Sequence, residues 1–251
     1  MLVAFLWAAV ASSSLLLGGM LACQWPLSRR SLGLLMAFGA GTLLSAVSFE
    51  LVFEAVRRSR GSGVPALGFF AGALVFYFSD QLIEAWELRH RRRGAGRAAA
   101  AGSLAVPMVL GIVLDGIPES VVIGLGVLEH RAVSLSLLVA VFLSNLPEAV
   151  AGTVGMRQDG WGRRPILLLW AGIALVCAAA SGFGYSLFSQ ASGQWLSLIQ
   201  AFAGGAILVM LANSMIPESY EHSGKLAGLL TVLGFFSSVA IVLFEAAQNA
   251  G

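Results

Sequence analysis

Apolar residues run through this chain in stretches of about twenty, separated by short clusters of arginine, glycine and other polar residues. About 20 apolar residues in an α-helix cross roughly 30 Å of hydrocarbon. The pattern predicts spans at roughly 2–24, 32–56, 65–87, 101–128, 132–156, 165–189, 194–217 and 226–247. The punctuation between them is Arg29-Arg30, the 57–63 cluster, an arginine-rich stretch at 89–97, Glu129-His130-Arg131, and 157–165; only the loop at 189–193 is uncharged. The first run ends in Leu21-Ala22-Cys23, as a cleaved signal would, but no Lys or Arg precedes it. It therefore reads as the first transmembrane helix, with cleavage the minor alternative.

Composition agrees with a membrane protein. Only 11% of residues are charged and 58% are hydrophobic, whereas a soluble domain carries about 25% charged residues. The expected fold is an all-α integral membrane protein, one domain over 1–251, with no room for a soluble module. Of the 15 Lys and Arg, 11 lie in alternate loops: those joining helices 1–2, 3–4, 5–6 and 7–8. Basic loops stay cytoplasmic, so this reading puts both termini outside a cell membrane and makes 89–97 a basic cytoplasmic loop. That run is a topology signal at an anionic face before it is a regulatory patch. Cys23 and Cys177 sit in apolar runs without a Cys-x-x-Cys motif and read as packing residues.

The chain also repeats itself. Residues 37–55 match 201–219 at an offset of 164, with Ala37/Ala201, Phe38/Phe202, Gly41/Gly205, Leu44/Leu208 and Glu54/Glu218 identical. Leu67-Gly68-Phe69-Phe70 matches Leu233-Gly234-Phe235-Phe236, and between the halves Asp115–Val121 matches Ser144–Val150 at an offset of 29. Helices 2 and 7, like helices 4 and 5, cross in opposite directions. The reading is eight transmembrane helices in a 3+2+3 arrangement with inverted repeats: helices 1–3 over about 2–87, a central pair over about 101–156, and helices 6–8 over about 165–247. Transporters use such repeats, with the site at the repeat interface.

Nine of the 13 acidic residues fall inside the predicted spans: Glu50, Glu54, Asp80, Glu84, Asp115, Glu119, Glu148, Glu218 and Glu245. No Lys or Arg lies deep in a span to pair with them, Arg57 and Arg58 standing at a helix end. A buried carboxylate without a partner takes up a proton or a cation, and in a membrane such residues are functional by default. Glu50/Glu54, Asp80/Glu84 and Asp115/Glu119 are i,i+4 pairs that share a helix face. Ser144/Glu148 and Ser214/Glu218 have the same spacing, and Asn145 stands three before Glu148. Pro-Glu occurs at 118–119, 147–148 and 217–218. Each proline removes a hydrogen bond and frees the carbonyl of Leu114, Leu143 or Asn213 beside the acid. Glu245 reads as an end residue reaching the interface, and Asp80/Glu84 read equally as scaffold bonding or a proton relay. His90, His130 and His222 read as solvated residues rather than ligands.

At these residues the chain resembles the ZIP family of zinc- and iron-type metal transporters, near its bacterial branch. The family's motif is His-Asn-x-Pro-Glu-Gly in helices 4 and 5. Here helix 4 has Asp115-Gly116-Ile117-Pro118-Glu119-Ser120 and helix 5 has Ser144-Asn145-Leu146-Pro147-Glu148-Ala149. Ile216-Pro217-Glu218 is similar to the family's helix 7 signature. Asp115 and Ser144 replace histidines, Gly116 replaces an asparagine, and helix 6 lacks the acidic ligand often found there. The resemblance implies inward passage of a divalent metal through a rocking or sliding bundle. Its metal set would be Asp115, Glu119, Ser144, Asn145 and Glu148, with Glu50, Glu54, Asp80, Glu84, Ser214 and Glu218 as an accessory metal or proton pathway. The ion is then substrate and no cofactor is expected. The partners are a divalent cation and the bilayer, with no nucleic acid; a homodimer stays open.

The donor set reads as oxygen alone, which suits harder ions such as Mn²⁺ more than imidazole would. The reading is a permease for metals of the Zn²⁺, Mn²⁺ or Fe²⁺ class, not an enzyme; no Gly-x-x-x-x-Gly-Lys-[Ser/Thr] loop for ATP exists. Two rivals stand beside it. One is a degenerate ZIP-like protein acting as metal sensor or partner. The other is an intramembrane metallo-hydrolase, which would want a His-Glu-x-x-His that is absent.

Overall fold

The computed structural model describes residues 1–25, 27–94, 105–130 and 134–249, which form helices and no strand. In lipid a backbone must satisfy its own hydrogen bonds, and a helix does so within one segment. Eight of the described helices are long and apolar enough to cross a membrane. These are α1 (Leu2–Gln24), α2 (Arg29–Arg58), α3 (Val64–Gly94), α4 (Ala105–His130), α5 (Leu135–Gln158), α6 (Arg163–Phe188), α7 (Gly193–Ser223) and α8 (Leu226–Asn249). The chain is a multi-pass membrane protein.

Local chemistry sets the ends. Ser28 caps α2 by accepting from the N–H of Ser31 at 3.1 Å, and Ser134 caps α5 through Leu137 N–H at 3.3 Å. Gly224 closes α7 at φ 63°, donating its N–H to Tyr220 O at 2.8 Å; that left-handed backbone suits glycine. The stretch 89–94 continues α3 as helix instead of forming a loop. Leu and Arg are good helix formers. The remainder of the basic run, 95–97, lies outside the described residues, as do the starts predicted at 101 and 132.

Two spans are not α-helical throughout. α2 is α-helical over Arg29–Ala46, π-helical over Val47–Phe53, and α-helical again over Glu54–Arg58. α7 is α-helical over Gly193–Met210, π-helical over Leu211–Met215, and α-helical over Ile216–Ser223. Arg29 maps onto Gly193 and Ala46 onto Met210 at the offset of 164 seen in the sequence.

In space the helices group as two bundles of four. α1 packs on α5 and α6, and α4 packs on α6; α3 packs on α7, and α8 on α2. The central helices 4 and 5 thus lean on α6 and α1 far more than on each other. The bundles meet mainly along α2 against α5, with α7 beside α4. Glycines let backbones touch, as small residues do in membrane helices. A Cβ at Gly72 would strike the backbone of Phe202, and one at Gly234 would strike that of Phe38. Phe38 and Phe202 are repeat equivalents. Gly41 abuts the Thr231 carbonyl and Gly205 the Phe69 carbonyl in the same manner.

Candidate functional site

The main apolar core fills one half of the seam between the bundles. It holds Val47 and Leu51 of α2, Val122 and Ile123 of α4, Leu137, Leu138 and Val141 of α5, and Ile207 and Met210 of α7. On α4 these residues lie past Glu119, toward His130; on α5 they lie before Glu148, toward Ser134. Most of the core thus lies on one side of Glu119 and Glu148, with Leu114, Leu211 and Met215 reaching past them.

On the other side the seam opens into a cavity of about 300 Å³. Its walls carry Asp115 of α4, Glu148 of α5, and Ser214 and Glu218 of α7, with Met36 of α2 closing one side. Asp115 stands ten residues from the start of α4 and Glu148 ten from the end of α5, about 15 Å at 1.5 Å per residue. The cavity thus lies toward the ends of the helices that the α1–α2, α5–α6 and α7–α8 loops join. Glu148 is within electrostatic reach of Asp115, Glu119 and Glu218. Among the described residues, no Lys or Arg stands on the wall.

Glu119 is placed differently. It is 1% exposed, behind the cavity. The single proton of the Ser144 hydroxyl has two acceptors in reach, the Val141 carbonyl at 3.0 Å and Glu119 Oε1 at 3.4 Å. Among the described residues, Glu119 Oε2 has no hydrogen-bond partner. A buried carboxylate oxygen left without a donor is costly, and a proton or cation is what would satisfy it. Asn145 is buried as well, at 4% exposure. Five predicted metal residues therefore fall into two layers: Asp115 and Glu148 face the cavity, and Glu119, Ser144 and Asn145 stand behind it.

The accessory residues separate too. Ser214 and Glu218 join the cavity. Glu50 faces the opposite end of the seam, reaching the Ser134 hydroxyl and facing Glu245. Glu54 is not free: Arg57 lies 2.9 Å and Arg58 3.1 Å from its carboxylate. The expectation that no span carboxylate has a cationic partner is corrected at this residue. The i,i+3 and i,i+4 spacing brings each guanidinium over Glu54. Asp80 is half-buried on α3 within electrostatic reach of Asp115, and Glu84 is exposed; neither lines the cavity. Glu245 accepts the N–H of Leu135 at 2.7 Å, so it caps α5 instead of reaching for the interface.

Two features escaped sequence reasoning. Met36, Met210 and Met215 line the cavity, so methionine side chains stand among the carboxylates. Nothing in the chain marks these three among seven methionines. The carbonyl of Leu143, freed by Pro147, lies against Gly39 of α2, where a helix face covers it. Gly116, where the resembled motif has asparagine, abuts Cys177 of α6: a Cβ there would lie 2.8 Å from Sγ. Among the described residues, no three His, Cys, Asp or Glu side chains converge closely enough to hold a metal ion as they stand. Compared with known proteins, the chain matches no family model and no curated sequence.

Proposed function

We propose that this protein carries divalent metal cations, of the Zn²⁺, Mn²⁺ or Fe²⁺ class, across a cell membrane into the cytoplasm through the cavity between its bundles. The observation that carries this reading is the wall itself: Asp115, Glu148 and Glu218 line one cavity, with no cationic side chain among its described lining residues. Such a set attracts a cation, and carboxylates with thioethers suit transition metals. The likeness of Asp115–Ser120 and Ser144–Ala149 to the ZIP motif supports the same reading.

Matching limits of α2 and α7, and the matching glycine contacts on α8 and α3, support two inverted repeats with the site between them. The positive loops give the sidedness: termini outside, cavity in the cytoplasmic half, apolar core closing the outer half. Passage then needs the two bundles to rock or slide on each other. The carboxylates ring a space without forming a closed ligand shell, which fits an ion that passes better than one that stays, as a hydrolase metal would.

Binding tests this reading apart from flux. Titration of Zn²⁺ and Mn²⁺ into the detergent-solubilised protein should give saturable binding, weakened about tenfold or more in Asp115→Asn and Glu148→Gln. Parental affinity in the double variant would place the site elsewhere.

A further inference from the structure

The two π-helical segments occupy equivalent places. Each follows 18 α-helical residues, and each begins at the same repeat position, Val47 in α2 and Leu211 in α7. A π-helix closes its bonds five residues apart and so holds a residue more than the α-helix it interrupts; such segments are rare and cluster at functional sites. Neither segment contains glycine or proline. Pro217 follows the second and leaves the Asn213 carbonyl without its α-helical donor, but nothing of the kind follows the first. Packing holds that one: Val47 and Leu51 are buried in the core, and the Phe49 ring lies 6.2 Å from that of Phe235 on α8.

The surplus residue need not stay in one turn. When it passes along a helix, the residues it passes turn by about 100° and shift by about 1.5 Å. Here that motion would exchange unlike faces. Val47/Leu211 and Leu51/Met215 are buried apolar pairs, and Glu50/Ser214 is the polar pair between them. Ser214 stands on the cavity wall with Glu218 one turn on, whereas Glu50 faces Ser134 at the far end of the seam. We propose that Val47–Phe53 and Leu211–Met215 are paired joints, through which one bundle turns Ser214 and Glu218 away from the cavity as it turns Glu50 away from Ser134. The ion-carrying role of that motion rests on the function proposed above; the joints themselves do not.

Hydrogen–deuterium exchange on the full chain in lipid nanodiscs tests the joints directly. Amides over 47–58 and 211–223 should exchange about tenfold faster than those over 29–46 and 193–210, and saturating Zn²⁺ should slow both segments together. Equal protection of segments and flanks, or a response in one segment alone, would overturn the pairing whether or not the protein carries metal. Deleting Ala212, or Phe53, should return the helix to α with both ends in register. The folded deletion variants should bind Zn²⁺ within about threefold of the parent and lose about tenfold or more in flux. Parental flux in a folded deletion variant would also overturn the proposal, and a parent without flux would sink the transport reading alone.

Discussion

The Ser144 hydroxyl sits 3.4 Å from Oε1 of Glu119, which among the described carboxylates of the site is the one buried off the cavity wall. The serine stands where the resembled motif has a histidine, so one substitution touches both the hydrogen bond and the metal preference. Ser144→Ala leaves the buried carboxylate without a donor on either oxygen, at a cost of about 1–3 kcal/mol. A lowered melting temperature in detergent, restored by Ser144→Thr, checks this.

Selectivity follows from the wall. With carboxylates, Ser214 and three methionines but no imidazole on the cavity, discrimination for Zn²⁺ over Mn²⁺ should be weaker than imidazole ligands would give. Asp115→His with Ser144→His should raise the Zn²⁺-to-Mn²⁺ flux ratio at matched free metal. An unchanged ratio would mean that these two positions do not set the preference.

The glycines divide into two kinds. At Gly205 an added Cβ meets the Phe69 backbone, which no side-chain rotation relieves, whereas at Gly126 it meets nothing within 4 Å. Gly205→Ala should destabilise by about 1–3 kcal/mol, and Gly126→Ala should be neutral or stabilise by up to about 1 kcal/mol. Thermal unfolding of the two variants side by side checks the packing of α7 on α3.

Sidedness has its own test. Reporter fusions at Gly94 and Gly251 should give opposite readouts, since 11 of the 15 basic residues occupy alternate loops. The same readout at both would undo the orientation.

The eight spans were legible in the sequence because an apolar run of this length has one solution in lipid. Glu148 and Glu218 were legible because an acid beside a proline inside such a run has little structural excuse, and Asp115 because it stands one turn before the Pro118-Glu119 pair. Glu54 was misread although both arginines stood three and four residues away, because they were counted as a helix end and not as partners. Met36, Met210 and Met215 were invisible, since only the crossing of α2 and α7 over α4 and α5 makes them neighbours of the acids. The π segments were invisible too: VSFELVF and LANSM carry no residue that asks for an extra one per turn. Their spacing of 164 residues, the offset of the sequence match, could be seen only once the helix limits were known.

The central claim is passage of metal past Glu148. Purified protein in sealed liposomes, loaded with a metal-sensitive dye and given Zn²⁺, Mn²⁺ or Fe²⁺ outside, measures it. The account predicts saturable uptake of at least one of these ions over empty liposomes, and its loss in Glu148→Ala with fold and insertion intact. Uptake in Glu148→Ala equal to the parent's, or none by the parent for any of the three, would contradict it.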